Sequence, residues 1–266
     1  MSHDVHEVYA FRYAHHDRPA SENYLFGDSH DINQPLAYFV WAIVGPSGTF
    51  IVDTGFDQGM AQKRGRQIVR PVGESLSSLG IDPEAVTDII VTHLHYDHCG
   101  NHNLFPRATY HLQDDEMAYA TGRCMCHQTI RIPFEEEDVV AMVRKVFANR
   151  VRFHGGDSEL APGITLHRIG GHSKGLQSVR VKTKRGHVVL ASDASHLYAH
   201  FQEGRVFPVT YNIGDVLEGY RTIKRLAESP RHVVPGHDPD VARRYPAAKP
   251  GLEGMVVRLD VDPSDL

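Results

Sequence analysis

The chain has 266 residues, 41% of them apolar and 23% charged, which is the make-up of an ordinary soluble globular protein with room for one large domain. Its formal charge of −5, with no lysine–arginine block, excludes the basic footprint that nucleic acid requires. No apolar run approaches the ~18 residues that span a bilayer. The polar start from Met1 to Glu7 lacks the basic-then-apolar order of a secretory leader. The three cysteines, Cys99, Cys124 and Cys126, make no disulfide framework. A reducing, cytoplasmic setting is the expectation.

In chain order, strand-like runs occur at Glu7–Tyr13, Ala37–Val44, Thr49–Val52, Asp88–Thr92, Thr109–Leu112, Ile164–Ile169, Ser178–Lys182, His187–Ala191 and His232–Val234. They are rich in β-branched and aromatic residues and bounded by Gly, Pro or Asp. Between them, Glu135–Asn149 reads as a helix that places Val139, Met142, Val143, Val146 and Phe147 on one face. Asp215–Glu228 does the same with Val216, Tyr220, Ile223 and Ala227, and Asp215 with Glu218 reads as a capping box. With no internal repeat or linker, residues 1–266 are expected to form a single domain of α/β layers. The segment from about Asp114 to Gly156 interrupts the strand succession and reads either as a helical cap over a site or as plain connecting helices.

After the run Asp88–Thr92 comes His93-Leu94-His95-Tyr96-Asp97-His98, with Gly100 just beyond. Imidazole nitrogen and carboxylate oxygen are the ligands that borderline divalent metals such as zinc favour. Four of them at one strand end are too many for a single ion served from so short a loop, so a site shared by two metals is expected. The chain holds 19 histidines, and chance clustering is the competing account; the preceding buried-type run weighs against it. Three later polar residues emerge from apolar strands beside glycine or small residues: His172 after Gly170-Gly171, Asp193 after Ala191-Ser192, and His237 after Pro235-Gly236. Cys124-Met125-Cys126-His127 has no partner pair and reads as a loop.

With these residues in place the chain resembles the metallo-β-lactamase superfamily, and within it the N-acyl-homoserine lactonase-like hydrolases. The resemblance rests on Thr92–His98 with Gly100, on Asp53-Thr54-Gly55, and on the order of His172, Asp193 and His237. It covers most of the chain from about residue 36 to 240. It implies a four-layer αββα sandwich with the site at one edge between two sheets. One metal would be held by His93, His95 and His172, the other by Asp97, His98 and His237, with Asp193 bridging. Asp53 would orient ligand imidazoles from behind. Zinc is the first choice of cofactor, with manganese, iron or cobalt also suited to such donors.

The activity so implied is the opening of a lactone ring, from an acyl-homoserine lactone or an aromatic or heterocyclic catabolic lactone, by a hydroxide bridging the two metals. A small lactone would then be the partner, with neither nucleic acid nor membrane, and a homodimer is compatible with the resemblance. Lactonases of this group carry a tyrosine three positions after the bridging aspartate; here His196 stands there. His196 is therefore the candidate donor to the carbonyl or leaving oxygen, and Asp97 the group that also orients the nucleophile. Tyr96, Phe134, His196, Phe207 and Tyr211 are candidate pocket residues. The alternative activity is a thioester hydrolase resembling glyoxalase II, for which Arg243, Arg244 and Lys249 would supply a basic patch.

Overall fold

The computed structural model describes residues 4–28 and 32–264; Met1–His3 of the polar start lie outside them. Strands are β1 (Glu7–His16), β2 (Leu36–Gly45), β3 (Gly48–Val52), β4 (Gln67–Ile68), β5 (Asp88–Ile90), β6 (Thr109–Gln113), β7 (Val151–His154), β8 (Ser158–Ala161), β9 (Ile164–Arg168), β10 (Gln177–Thr183), β11 (Gly186–Ser192), β12 (Val233–Pro235) and β13 (Val256–Arg258). Helices are α1 (Gln58–Arg64), α2 (Val72–Ser77), α3 (Tyr96–Cys99), α4 (Asp114–Ala120), α5 (Gln128–Arg131), α6 (Glu136–Phe147), α7 (Tyr198–Glu203), α8 (Ile213–Leu226) and α9 (Asp240–Arg244).

The strands form two sheets, one of order β13-β1-β2-β3-β5-β6-β7 with β4 paired to β1, the other of order β12-β11-β10-β9-β8. Strand alternation explains why the layers number four. Along β2, Ala37, Phe39, Trp41 and Ile43 join a core shared with the second sheet and α8. The intervening Tyr38, Val40 and Ala42 join a second core on the opposite face, under α1, α2 and α6. A strand buried on both faces reads as a continuous apolar run, as β2 does. The result is the four-layer αββα sandwich that the resemblance implies.

Two sequence expectations are corrected. Phe147 does not share the buried face of α6: it is 86% exposed while Met142 is buried, because five positions on a helix turn the side chain by about 140°. The α8 cap is not the Asp215–Glu218 box; the Asn212 side chain accepts from the backbone N–H groups of Gly214 and Asp215, and Glu218 pairs with Arg221 instead. Segment 114–150 is the crossover from β6 to its parallel neighbour β7. Its α6 packs on the first sheet through Ala141 and Met142, and Phe134 bridges back to His95.

Candidate metal centre

The site forms where strands end. β3 and β5 run parallel, as do β11 and β12 in the other sheet. Their C-terminal ends deliver Asp53, His93, Asp193 and His237, and the turn after β9 delivers His172. Past β5 the chain stays extended through His95 (φ −74°, ψ 153°), so His93 and His95, two positions apart, point the same way. The single turn of α3 then places Asp97 and His98. Close approach demands glycine nearby: a Cβ on Gly236 would sit 2.7 Å from Asp193 Oδ1.

The seven sequence-predicted ligands come together, all buried. Ligand atoms within 4.8 Å of one another form the groups His93–His95–His172, His93–His98–Asp193 and Asp97–His98–His237, and His196 joins His172 and Asp193 in a fourth. The Asp193 carboxylate lies between the groups. Its Oδ2 is 3.1 Å from His172 Nε2 and its Oδ1 is 3.4 Å from His98 Nε2 and 3.1 Å from His237 Nε2.

Partners behind the rings decide which nitrogen faces inward. Nδ1–H donates to Val209 O in His172 (2.6 Å) and to Ala37 O in His237 (2.9 Å). His98 Nδ1–H donates to Asp53 Oδ2 (2.8 Å), and His93 Nδ1 lies 3.1 Å from Thr92 Oγ1. With Nδ1 carrying the proton, the Nε2 lone pair of each ring points at the centre. His93 Nε2, His98 Nε2 and Asp193 Oδ1 are buried there with no hydrogen-bond partner, and His172 Nε2 faces His95 Nδ1 at 2.9 Å. Converging acceptors without a proton between them repel, and burying them unpaired is costly. A divalent cation removes both costs, so the residues fit a metal of the kind that N/O donors hold.

The electrostatics divide the rings, and those beside the carboxylates favour a second proton in the place where a cation would sit. Burial, reinforced by neighbouring imidazoles, drives His93 and His95 well below the ordinary histidine value. At His98 and His237 burial acts the same way, but the carboxylates of Asp193 and Asp97 outweigh it and raise both. Burial opposes ionised Asp97 and Asp193, yet the surrounding imidazoles hold both below the usual carboxylate range. Burial pushes His196 down to about 3, so its ring is neutral at pH 7. That ring stacks on Phe207 (centroids 3.8 Å apart) and its Nε2 lies 3.0 Å from Asp193 Oδ2.

Asp53 accepts from Thr92 N (2.7 Å), Thr92 Oγ1 (2.8 Å) and His98. Those bonds hold it at φ 63°, a left-handed conformation that costs a non-glycine residue about 1–3 kcal/mol. Sequence reasoning missed Glu116. This buried carboxylate accepts from Leu94 N, Ser173 Oγ and Gly175 N (2.9, 2.7 and 2.9 Å), tying the His93–His95 stretch to the His172 loop. It stands in Asp114-Asp115-Glu116, where nothing separates it from a solvated helix start. Also missed were Arg18, Arg64 and Arg66, which line the pocket over the cluster.

That pocket has a volume of about 140 Å³. Of the candidate aromatics, Tyr96 and His196 line it. Phe134 and Phe207 stand one layer behind, against His95 and against His172 and His196. Tyr211 is 41% exposed and packs on Tyr119 instead. A larger groove of about 680 Å³ beside α5 and α6 holds none of the converging ligands. Arg243 pairs with Asp240, Arg244 lies over Tyr198, and Lys249 donates to Ser78 O; none lines the pocket. Cys124 and Cys126 are free thiols outside the ligand groups. Among the described residues no helix is long and apolar enough to cross a membrane.

Known proteins share this arrangement of chain. The N-acyl homoserine lactonase of Bacillus thuringiensis is 27% identical over 222 residues, covering 76% of this chain and 82% of that protein. The N-acyl homoserine lactonase AttM of Azorhizobium caulinodans is 28% identical over 231 residues, covering 80% and 86%. A crystal structure of a quorum-quenching N-acyl homoserine lactone lactonase superposes with a TM-score of 0.71 at 23% identity, over 90% of this chain and 94% of the other. The hydrolase AbOPH superposes with a TM-score of 0.69 at 18% identity, over 97% and 95%. The family profile of the metallo-beta-lactamase superfamily matches residues 31–237. With that match, and with the αββα sandwich carrying it, the chain belongs to the metallo-beta-lactamase superfamily.

Proposed function

We propose that this chain is a metal-dependent hydrolase that opens a lactone ring, and that residues 1–266 act as one catalytic domain. His93, His95 and His172 would hold one divalent cation and Asp97, His98 and His237 a second, with the Asp193 carboxylate between them. The observation that carries this reading is the convergence of imidazole nitrogens and carboxylate oxygens: Val209 O, Ala37 O and Asp53 fix three of the rings from behind, and His93 Nε2, His98 Nε2 and Asp193 Oδ1 are left buried without a hydrogen-bond partner. The Asp193 carboxylate reaches both histidine groups, with Oδ2 3.1 Å from His172 Nε2 and His237 Nε2 3.1 Å from Oδ1 and 3.2 Å from Oδ2, which supports the bridging position. Zinc is favoured by so many imidazoles, and manganese, iron or cobalt would also suit the donor set. When bound, such a pair of cations supplies Lewis acidity and makes water acidic enough to lose a proton near neutral pH.

The chain's own residues orient and stabilise. In the net reaction water's oxygen bonds to the ring carbonyl carbon, the acyl C–O bond breaks, and the ring oxygen leaves with a proton as a hydroxyl. Asp97, buried and ionised, would orient the attacking water. Its position is fixed in part by Tyr13, whose hydroxyl donates to the Asp97 backbone carbonyl at 2.8 Å. The neutral ring of His196, held flat against Phe207, would turn an N–H toward the carbonyl or leaving oxygen, where one well-placed donor contributes about 10²–10³ in rate. The wall formed by Ile132 and Pro133 gives the 114–156 segment a part in the site while its α6 serves as a connecting helix.

Relatives named as N-acyl homoserine lactonases support a lactone substrate. A glutathione thioester is less well served, since Arg243, Arg244 and Lys249 are engaged away from the pocket. The test is a panel of short- and long-chain homoserine lactones, aromatic γ-lactones and a glutathione thioester, assayed with and without chelator. Chelator-sensitive opening of lactones is the expected result; chelator-sensitive turnover of the thioester alone would replace this reading with the thioesterase one.

A further inference from the structure

Three guanidinium groups, those of Arg18, Arg64 and Arg66, line the same small pocket as His95, Asp97, His172, Asp193 and His237. Their partners differ. Arg64 pairs with Glu135 at 3.3 Å, donates to the carbonyls of Ile132 and Phe134, and lies over the Tyr96 ring at 4.4 Å. Arg18 donates to Glu22 O and stands 3.4 Å from that residue's carboxylate, which is 56% exposed; its Nε is buried without an acceptor. Among the described residues no carboxylate lies within ion-pair distance of Arg66; the one that acts on it, from further off, is Asp97. Arg66 Nε donates to the Tyr96 hydroxyl at 3.1 Å and its Nη1 to Arg64 O at 2.6 Å, and it is half-buried.

Among the described residues the only carboxylates lining the pocket are Asp97 and Asp193, and both face the imidazole cluster. His16, half-buried near Arg66 and Arg18, is pushed down to about 4 and adds no charge. Tyr38 and Tyr96 are phenols, whose ordinary ionisation lies far above neutral pH, and add no charge. With its oxygen accepting from Arg66, the Tyr96 hydroxyl has its own hydrogen free to donate into the pocket or to Tyr38, 3.5 Å away. A half-buried guanidinium whose hydrogen-bond partners are both neutral is matched by a bound anion, through charge-assisted hydrogen bonds about twice as strong as neutral ones.

Resting on the lactonase reading and narrowing it, we propose that the pocket selects a single-ring lactone carrying a carboxylate, held by Arg66 with Arg18 and the Tyr96 hydroxyl. The volume of about 140 Å³ is close to that of a cavity that takes one benzene ring, ~150 Å³. A long acyl amide is neutral, leaves Arg66 without an anion, and must run out past Ile132. The hydrolysis product is a hydroxy-dicarboxylate, so the reaction that supplies the substrate is one that closes or oxidises a ring already bearing an acid group.

The test uses full-length, metal-loaded protein and three lactones: γ-butyrolactone-γ-carboxylate, its neutral primary amide, and N-hexanoyl-homoserine lactone. The carboxylate is expected to exceed the amide in kcat/KM by at least tenfold. Arg66→Gln should bring that ratio close to one, and Arg66→Lys should keep part of it. Calorimetry with tetrahydrofuran-2-carboxylate, which cannot be hydrolysed, should show binding at least tenfold weaker in Arg66→Gln, with metal content and Tm confirming that the variant is folded. A ratio near one in the unaltered protein, or one that Arg66→Gln leaves in place, overturns the carboxylate subsite while lactone opening stands. Opening of no lactone, with carboxylate binding still dependent on Arg66, overturns the lactone reading and leaves the subsite.

Discussion

Asp193 and His196 are the two residues on which the chemistry of the site turns most sharply. The Asp193 carboxylate lies within 3.1 Å of both His172 and His237, so Asp193→Asn removes a charge from between the two proposed cations and puts an amide N–H₂ where one of them needs an acceptor. Metal content should fall below two per chain and kcat by about 10²-fold or more, by analogy with the loss of one electrostatic stabiliser; two bound metals with normal turnover would remove the bridging assignment. His196 is neutral and stacked, so His196→Ala should lower kcat by about 10-fold or more with unchanged metal content. His196→Tyr, which restores a donor of the family's type, should recover part of it, and an unchanged kcat at every pH in His196→Ala would take the residue out of the mechanism. The seven ligands were legible because their residue types and strand-end positions carry the signal. Glu116 and the arginines were not, because a carboxylate in an acidic helix start and isolated arginines look the same whether they face a site or solvent. The arginines' common wall exists only once β1, α1 and the turn after it have been brought together.

At the scale of the element, α6 shows how a helix can be read correctly in place and wrongly in orientation. Its apolar residues were recognised, but Phe147 lies on the solvent side, and an acid, Asp138, occupies the buried face. Asp138 Oδ2 is buried without a partner. Burial, and then Glu135 and Asp57, raise its pKa to about 7 from the 3.8 of an ordinary Asp. The folded state therefore keeps its proton where the unfolded chain has lost it, and stability falls as pH rises between those two values. Asp138→Asn should stabilise the protein at pH 8 by about 1–2 kcal/mol and by less at pH 5; Tm measured at both values checks this, and an equal or opposite shift at pH 8 would show the carboxyl to be matched by its surroundings. The short strands β4, β7, β8 and β13 were missed for a related reason. They are two to four residues long, too brief for an alternation to stand out, and β4, β7 and β8 are partly exposed as well. Helix α8 was placed from its apolar face, whereas its cap belongs to Asn212, three residues earlier than Asp215.

Across the whole molecule the proposed cations would join the ends of the two sheets, adding to the ties that Glu116 and the Thr92–Ser192 hydroxyl pair already make there. His93, His95, Asp97 and His98 follow the first sheet, while His172, Asp193 and His237 come from the second. A ligand that binds only the folded state stabilises it by about 4 kcal/mol at a thousand times its Kd, so stripping metal with a chelator should lower Tm by several degrees and restoring it should reverse the change. An unchanged Tm would mean that the cluster is held together without metal. The layered fold was legible from the strand and helix succession together with the family resemblance. What the succession leaves open is which strand ends meet, and that is settled by the parallel pairs β3–β5 and β11–β12. The measurement that tests the central claim most directly is lactone ring opening by metal-stripped protein titrated with zinc. The account predicts no turnover at the start and a rate that stops rising at two equivalents per chain; full turnover before any zinc is added, or a plateau at one equivalent, would contradict it.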